Sequence, residues 1–178
     1  IGTVAFIDNA VSVSSMGSAS GAGIFVDGDL TLWEATFAGN TGTAIAVGSG
    51  HGSLQRSIIA FNARSAAGDV AASCCLVYGN NYSNWDSGLA GQEGVAGNFS
   101  ADPLFCDRLA GVLTVSDVSP CLPQNNSCGV QIGAFSESCL GLAPTWIYAS
   151  RDRSDGIDIV WAWDWSESVQ FRIDRDGV

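Results

Sequence analysis

The chain has 178 residues, 47% of them hydrophobic, with 22 glycines and four prolines; this composition suits a β-rich globular protein and excludes a disordered one. Its formal net charge is −11 and all seven basic residues are arginine, which argues against nucleic acid and anionic lipid as partners. No apolar run approaches the roughly 18–20 residues that a transmembrane helix needs.

The first 80 residues repeat a nine-residue frame with an apolar first position, an apolar sixth position and a terminal asparagine. Ile1, Phe6 and Asn9 open it. Leu32, Phe37 and Asn40 follow, then Leu54, Ile59 and Asn62, then Ala72, Val77 and Asn80. The asparagines are spaced by 31, 22 and 18 residues, and periods of this size point to a solenoid. The chain starts inside the first frame without an initiator Met, so it reads as part of a longer protein. Ser12 to Gly21 is an insertion of small residues that lengthens the first period as a corner loop.

Within each repeat, apolar residues alternate, as in Leu30 and Leu32, then Ala35 and Phe37; this is a strand with one buried face. A further strand precedes it at 23–26 and again at 44–47. About 20 residues therefore hold two or three short strands with sharp bends between them. The predicted fold is all-β: a right-handed parallel β-helix whose coils are spaced by about 4.8 Å. Phe6, Phe37, Ile59 and Val77 should stack inside it. Asn9, Asn40, Asn62 and Asn80 should form a structural ladder at one corner, since a carboxamide both donates and accepts. The outward column Glu34, Arg56, Cys74 places opposite charges on neighbouring coils, read as a solvated ion pair.

Residues 81–101 lose this rhythm. Tyr82 and Trp85 are candidate glycan contacts, with a loop packed over the open end of the helix as the alternative. Residues 102–139 then present Asp102-Pro-Leu-Phe105, Leu113-Thr-Val115, Ser119-Pro-Cys121 and Ile132-Gly-Ala-Phe135 in that order. With the repeats, this set resembles the closing coils of secreted bacterial right-handed β-helix proteins of the pectin-lyase-like superfamily. The resemblance implies the fold, secretion and linkage to further surface modules, and no particular activity.

All six cysteines lie between positions 74 and 139 without a C-x-x-C pair, which favours disulfides and an oxidising, extracellular setting over a metal site. Cys121 and Cys128 are the easiest local bridge. Cys75, aligned with the inward Ala35 and Ser57, would reach Cys106, and Cys139 would take Cys74 or stay free. The spacing leaves the full connectivity open.

Residues 140–144 read as a linker, so the expected domains are 1–139 and 145–178. The second region, with Trp146, the strand 157–161 and the strand 169–173 before Arg175-Asp-Gly177, resembles the start of a fibronectin type III domain, a partial β-sandwich. Trp161, Trp163 and Trp165 are an alternative sugar-binding face.

Chemistry is harder to find. The outward positions Thr31, Trp33, Gln55 and Ser73 carry no carboxylate. Asp27 with Asp29, and Asp102 with Asp107, are the nearest acidic pairs, and His51 stands alone between glycines. No catalytic, cofactor-binding or metal residue is assigned, and calcium is a candidate ion without an identified site. The leading expectation is a secreted or cell-surface structural, adhesive scaffold that touches polysaccharide or other surface proteins. The alternatives are a polysaccharide lyase or hydrolase whose site lies in preceding coils, and a carbohydrate-binding module.

Overall fold

Short apolar runs broken by glycine and small polar residues make short strands, and the computed structural model stacks them. It describes residues 4–7 and 23–139, together with the strands at 146–149, 157–162 and 168–173. The chain divides into two compact units, Ile1–Cys139 and Leu140–Val178.

In the first unit, β1 (Val4–Ile7) precedes three coils of three strands each. The first coil is β2 (Ile24–Val26), β3 (Leu30–Trp33) and β4 (Ala35–Ala38). The second is β5 (Thr43–Val47), β6 (Gly52–Gln55) and β7 (Ile58–Ala60). The third is β8 (Arg64–Ala67), β9 (Val70–Ser73) and β10 (Leu76–Tyr78). Equivalent strands pair in parallel into sheet A (β1-β4-β7-β10), sheet B (β2-β5-β8) and sheet C (β3-β6-β9). The protein is a parallel β-solenoid. Its register is that of the gapless repeat: Leu32 pairs with Leu54 and Leu54 with Ala72, while Phe37 pairs with Ile59 and Ile59 with Val77.

These residues fill an inner core bounded by the three sheets, and Phe37, Leu54, Ile59 and Val77 have no exposed surface. Phe6 pairs with Phe37 through the backbone, and Asn9 lies outside the described residues. Two left-handed corners flank sheet A. The first is formed by Glu34, Arg56 and Cys74 (φ 54°, 50° and 52°), the second by Gly39, Phe61 and Gly79 (φ 71°, 61° and 63°). Glycine is required at Gly79 for a second reason: a Cβ there would lie 2.9 Å from the Phe61 ring.

The asparagine ladder follows the second corner. The Asn40 carboxamide donates to Asn62 Oδ1 at 2.7 Å, and the Asn62 carboxamide to Asn80 Oδ1 at 3.0 Å. Asn62 Nδ2 also donates to the carbonyls of Phe37 and Ala60, both at 3.1 Å. The column ends on Asn84, whose Oδ1 accepts from the backbone and side chain of Asn80 at 3.0 and 3.2 Å. Asn84 thus serves as an end rung outside the repeat frame.

The end of the solenoid after β10 is covered by residues 84–99. Leu89, in the 3₁₀ turn Ser87–Leu89, is fully buried in the inner core, and Trp85 packs against it. Gln92 acts as a strand on the open edge of β9, accepting from Ala72 N and donating to the Val70 carbonyl, both at 2.7 Å. Phe99 does the same for β10: its amide donates to the Cys75 carbonyl at 3.0 Å and its carbonyl accepts from Val77 N at 3.1 Å. Asn98 beside it accepts from Cys75 N, as Ser57 Oγ does from Ala35 N two coils earlier.

Residues 102–139 differ from the expectation of closing coils. Their strands β11 (Phe105–Asp107), β12 (Val112–Ser116) and β13 (Glu137–Cys139) join none of the solenoid sheets and form a mixed sheet of their own. This flap lies on the outward side of sheet A. Val115, Cys121, Leu122 and Ile132 pack there on Ile58, Ala60 and Leu76 as an outer core. The physical reason is visible in Ile58-Ile59-Ala60, where apolar residues occupy both strand parities and so require cover on both faces. Ser119 Oγ donates to the Pro103 carbonyl at 2.6 Å, fastening the Ser-Pro turn to the Asp-Pro turn. Gly133 N donates to the Arg56 carbonyl at 2.8 Å, and Ala134 N to Thr36 Oγ1 at 2.9 Å. A Cβ on Gly133 would stand 2.4 Å from Ile58 Cδ1, so the flap can seat this closely only with glycine there.

The second unit contains β14 (Trp146–Ala149), β15 (Ile157–Ala162) and β16 (Ser168–Ile173), an antiparallel sheet in that order. Among the described residues these strands form a single sheet. Trp163 and Trp165 lie outside the described residues.

Phe37→Ala should destabilise the first unit by about 3–5 kcal/mol, because it leaves a cavity between stacked coils. Trp33→Ala, on the outward side of the same coil, should stay within about 0.5 kcal/mol. Chemical denaturation followed by circular dichroism measures both; equal losses would contradict the assigned register.

Candidate functional site

The residues that could meet a partner are those the solenoid turns outward in straight columns. On sheet C, alternation buries Leu30, Leu32, Leu54 and Val70 and leaves Thr31, Trp33, Gln55 and Ala71 in solvent, with Ser53 and Ser73 half-buried. The pairing places Trp33, Gln55 and Ser73 in one column and Thr31, Ser53 and Ala71 in the next. Trp33 is 44% exposed. Every side chain in the two columns is uncharged. The face can stack an apolar ring surface and can donate and accept hydrogen bonds, and it holds no group suited to proton transfer.

At the corner beside this face, Arg56 Nη2 lies 3.1 Å from Glu34 Oε1, the pair expected from the outward column. Both side chains remain more than a third exposed, which makes the contribution about 0–1 kcal/mol. The next member of that column, Cys74, bridges to Cys128, and Cys106 bridges to Cys139. Cys75 and Cys121 are free thiols.

This connectivity corrects the expected Cys121–Cys128 bridge and the expected Cys75–Cys106 link. Cys121 is turned into the outer core beneath the flap, fully buried, whereas Cys128 lies at the flap edge facing the corner from which Cys74 projects. Cys75 points into the inner core, as its alignment with Ala35 indicates, and its thiol donates to the Ser73 and Leu54 carbonyls. It therefore faces away from the flap strand that carries Cys106.

The candidate glycan contacts separate. Tyr82 is 70% exposed and the Arg64 guanidinium sits over its ring, 4.5 Å from the centroid. Trp85 is packed against the inner core and donates through Nε1 to Ser100 Oγ at 2.7 Å. They do not make a shared platform.

The acidic pairs are occupied in turns. Asp27 accepts from Ser49 Oγ, and Asp29 from the amide of His51 at 2.9 Å. Asp102 accepts from Leu104 N at 2.9 Å and Asp107 from Ala110 N at 3.0 Å. His51 Nδ1 meets the exposed Asp69 at 3.1 Å. Among the described residues, no group of three or more His, Cys, Asp and Glu side chains could hold a metal ion, and no helix is long and apolar enough to cross a membrane.

No protein-family model, no curated protein and no solved structure matches the chain. The reading of this surface therefore rests on its own geometry.

Among the described residues, two groups titrate far from their ordinary range. Burial pushes the Cys75 thiol up to about 11 and the Cys121 thiol up to about 12. In the unfolded chain a thiol ionises near pH ~8.5. The folded form keeps its proton above that, so each raised thiol stabilises the fold fully below the unfolded value and loses that contribution as pH climbs toward the folded one. Unfolding free energy should fall by about 1.4 kcal/mol per pH unit per thiol above about pH 9. Cys75→Ala should remove one such share from the alkaline slope measured by denaturant titration; an unchanged slope would contradict the assignment.

Proposed function

We propose that this chain is a secreted or cell-surface structural and adhesive scaffold that contacts neutral polysaccharide through the outward face of sheet C. One observation carries the reading: the columns Trp33-Gln55-Ser73 and Thr31-Ser53-Ala71 present an aromatic ring and uncharged hydrogen-bonding groups along straight lines. Strands in a sheet repeat at about 4.8 Å, a step on the scale of one sugar unit in an extended chain. An aromatic face beside amides and hydroxyls suits a sugar, which has apolar ring faces and an equatorial fringe of hydroxyls. The net charge of −11 disfavours a polyanionic glycan.

In this reading the solenoid is a right-handed β-helix of the pectin-lyase-like kind, serving as a spacer, and the C-terminal sheet begins a fibronectin type III-like module. The two disulfides are compatible with an extracellular location. The arginines of the described solenoid and flap, together with Glu34, Asp27, Asp102, Asp107 and His51, take part in ion pairs, turns and ring contacts, which supports a binding role over turnover.

Co-sedimentation with an insoluble neutral β-glucan tests this. The chain should pellet with the glucan and not with calcium pectate, and Trp33→Ala should weaken retention by at least about tenfold, in line with the loss of one stacked ring. Failure to pellet, or retention unchanged by Trp33→Ala, would rule out sheet C as the contact. In the same mixtures no unsaturated sugar ends should accumulate by ultraviolet absorbance; their appearance would turn the reading toward a lyase.

A further inference from the structure

We propose that the flap, residues 102–139, is an oxidation-dependent latch: the Cys74–Cys128 disulfide holds it over sheet A, and reduction of that bridge releases it while the solenoid stays folded.

The molecule has two separate cores. Every member of the inner core lies between Ile24 and Leu89 in sequence. The solenoid also closes its own end before the flap begins, with Asn84 on the ladder, Gln92 on β9 and Phe99 on β10. The outer core shares no residue with the inner one and exists only while Val115, Cys121, Leu122 and Ile132 lie on Ile58, Ala60 and Leu76. Two cores with no common member can open one at a time.

The second observation is how the flap is fastened. Beyond chain continuity at its start, the flap is held to the coils by the outer core, by Phe105 and the Arg108 guanidinium against the Phe61 ring, by the bonds from Gly133 N to the Arg56 carbonyl and from Ala134 N to Thr36 Oγ1, and by the covalent bridge. The bridge joins residues 54 apart and connects the solenoid corner to the flap edge. The other disulfide, Cys106–Cys139, ties β11 to β13 within the flap sheet and does not reach the coils. Only Cys74–Cys128 couples the two bodies covalently.

Release is a two-electron step. A dithiol reductant attacks the bridge, the Sγ–Sγ bond breaks, and Cys74 and Cys128 each take up one proton as the reductant closes to its own disulfide. The outward face of sheet A, including Ile58 and Leu76, is then uncovered. The reverse reaction, with a disulfide oxidant, closes the latch. A chain made in a reducing compartment would thus carry a finished solenoid and an open flap until it met an oxidant.

The two free thiols report on the two cores. Cys121 lies under the flap and Cys75 inside the solenoid. The test uses the full chain as Cys74→Ser/Cys128→Ser, treated with a maleimide in native buffer and mapped by mass spectrometry. Cys121 should be alkylated at least about tenfold faster than in the unsubstituted chain, while Cys75 stays protected in both. The control Cys106→Ser/Cys139→Ser should leave Cys121 protected. The latch is overturned if Cys121 remains protected without the bridge, if Cys75 and Cys121 become reactive together, or if the control releases Cys121 equally.

Discussion

The hydrogen-bonded asparagine column is the constraint on which the rest of this protein depends. A chain that turns sharply every few residues leaves amides and carbonyls at the corner without a strand partner, and burying them unpaired costs about 1–3 kcal/mol each. Asn62 resolves this for its coil. Its Oδ1 accepts from the backbone and side chain of Asn40, and its Nδ2 donates to Asn80 and to the carbonyls of Phe37 and Ala60. Because each rung is bonded to the next, the corner sets the register of the adjoining strands. Phe37 and Ile59 must then stack, and sheets B and C inherit the same one-coil offset.

A column of this kind needs ends, and the ends explain features that a repeat frame does not anticipate. Asn84, Gln92, Asn98 and Phe99 supply side-chain or backbone partners where a fourth full coil would have stood. The same economy appears at the left-handed corner of Glu34, Arg56 and Cys74. Non-glycine residues are held there with positive φ, and their side chains project outward as an ion pair and a disulfide. Corners that keep side chains therefore become the attachment points of the solenoid.

Much of this was legible in the sequence. The nine-residue frame located the buried columns, the parallel register and Asn40, Asn62 and Asn80, because burial and ladder bonding demand the same residue type at each coil. The outward Glu34–Arg56 pair followed from the same alignment. The flap was not legible as a flap. Leu113 and Val115 alternate as a coil strand would, and alternation reports a buried face without saying which surface covers it. The signal that was available is the doubled apolar parity of Ile58-Ile59-Ala60 and Leu76-Val77. Proximity in sequence favours Cys121 with Cys128, whereas a three-dimensional fact, Cys121 facing the outer core, decides against that pairing. The sheet C face was recognisable as outward but carries no pattern that identifies a ligand.

The fold depends most directly on the buried, paired state of the ladder carboxamides. Exchange of side-chain amide protons with solvent measures it, with Asn81 as an internal reference because its residue is exposed in the turn that follows Asn80. The Asn40 and Asn62 carboxamide protons should exchange on the slow timescale of the sheet A backbone amides, and orders of magnitude more slowly than those of Asn81. Carboxamide exchange at Asn62 as fast as at Asn81 would mean that the column is not formed, and the solenoid as described would not stand.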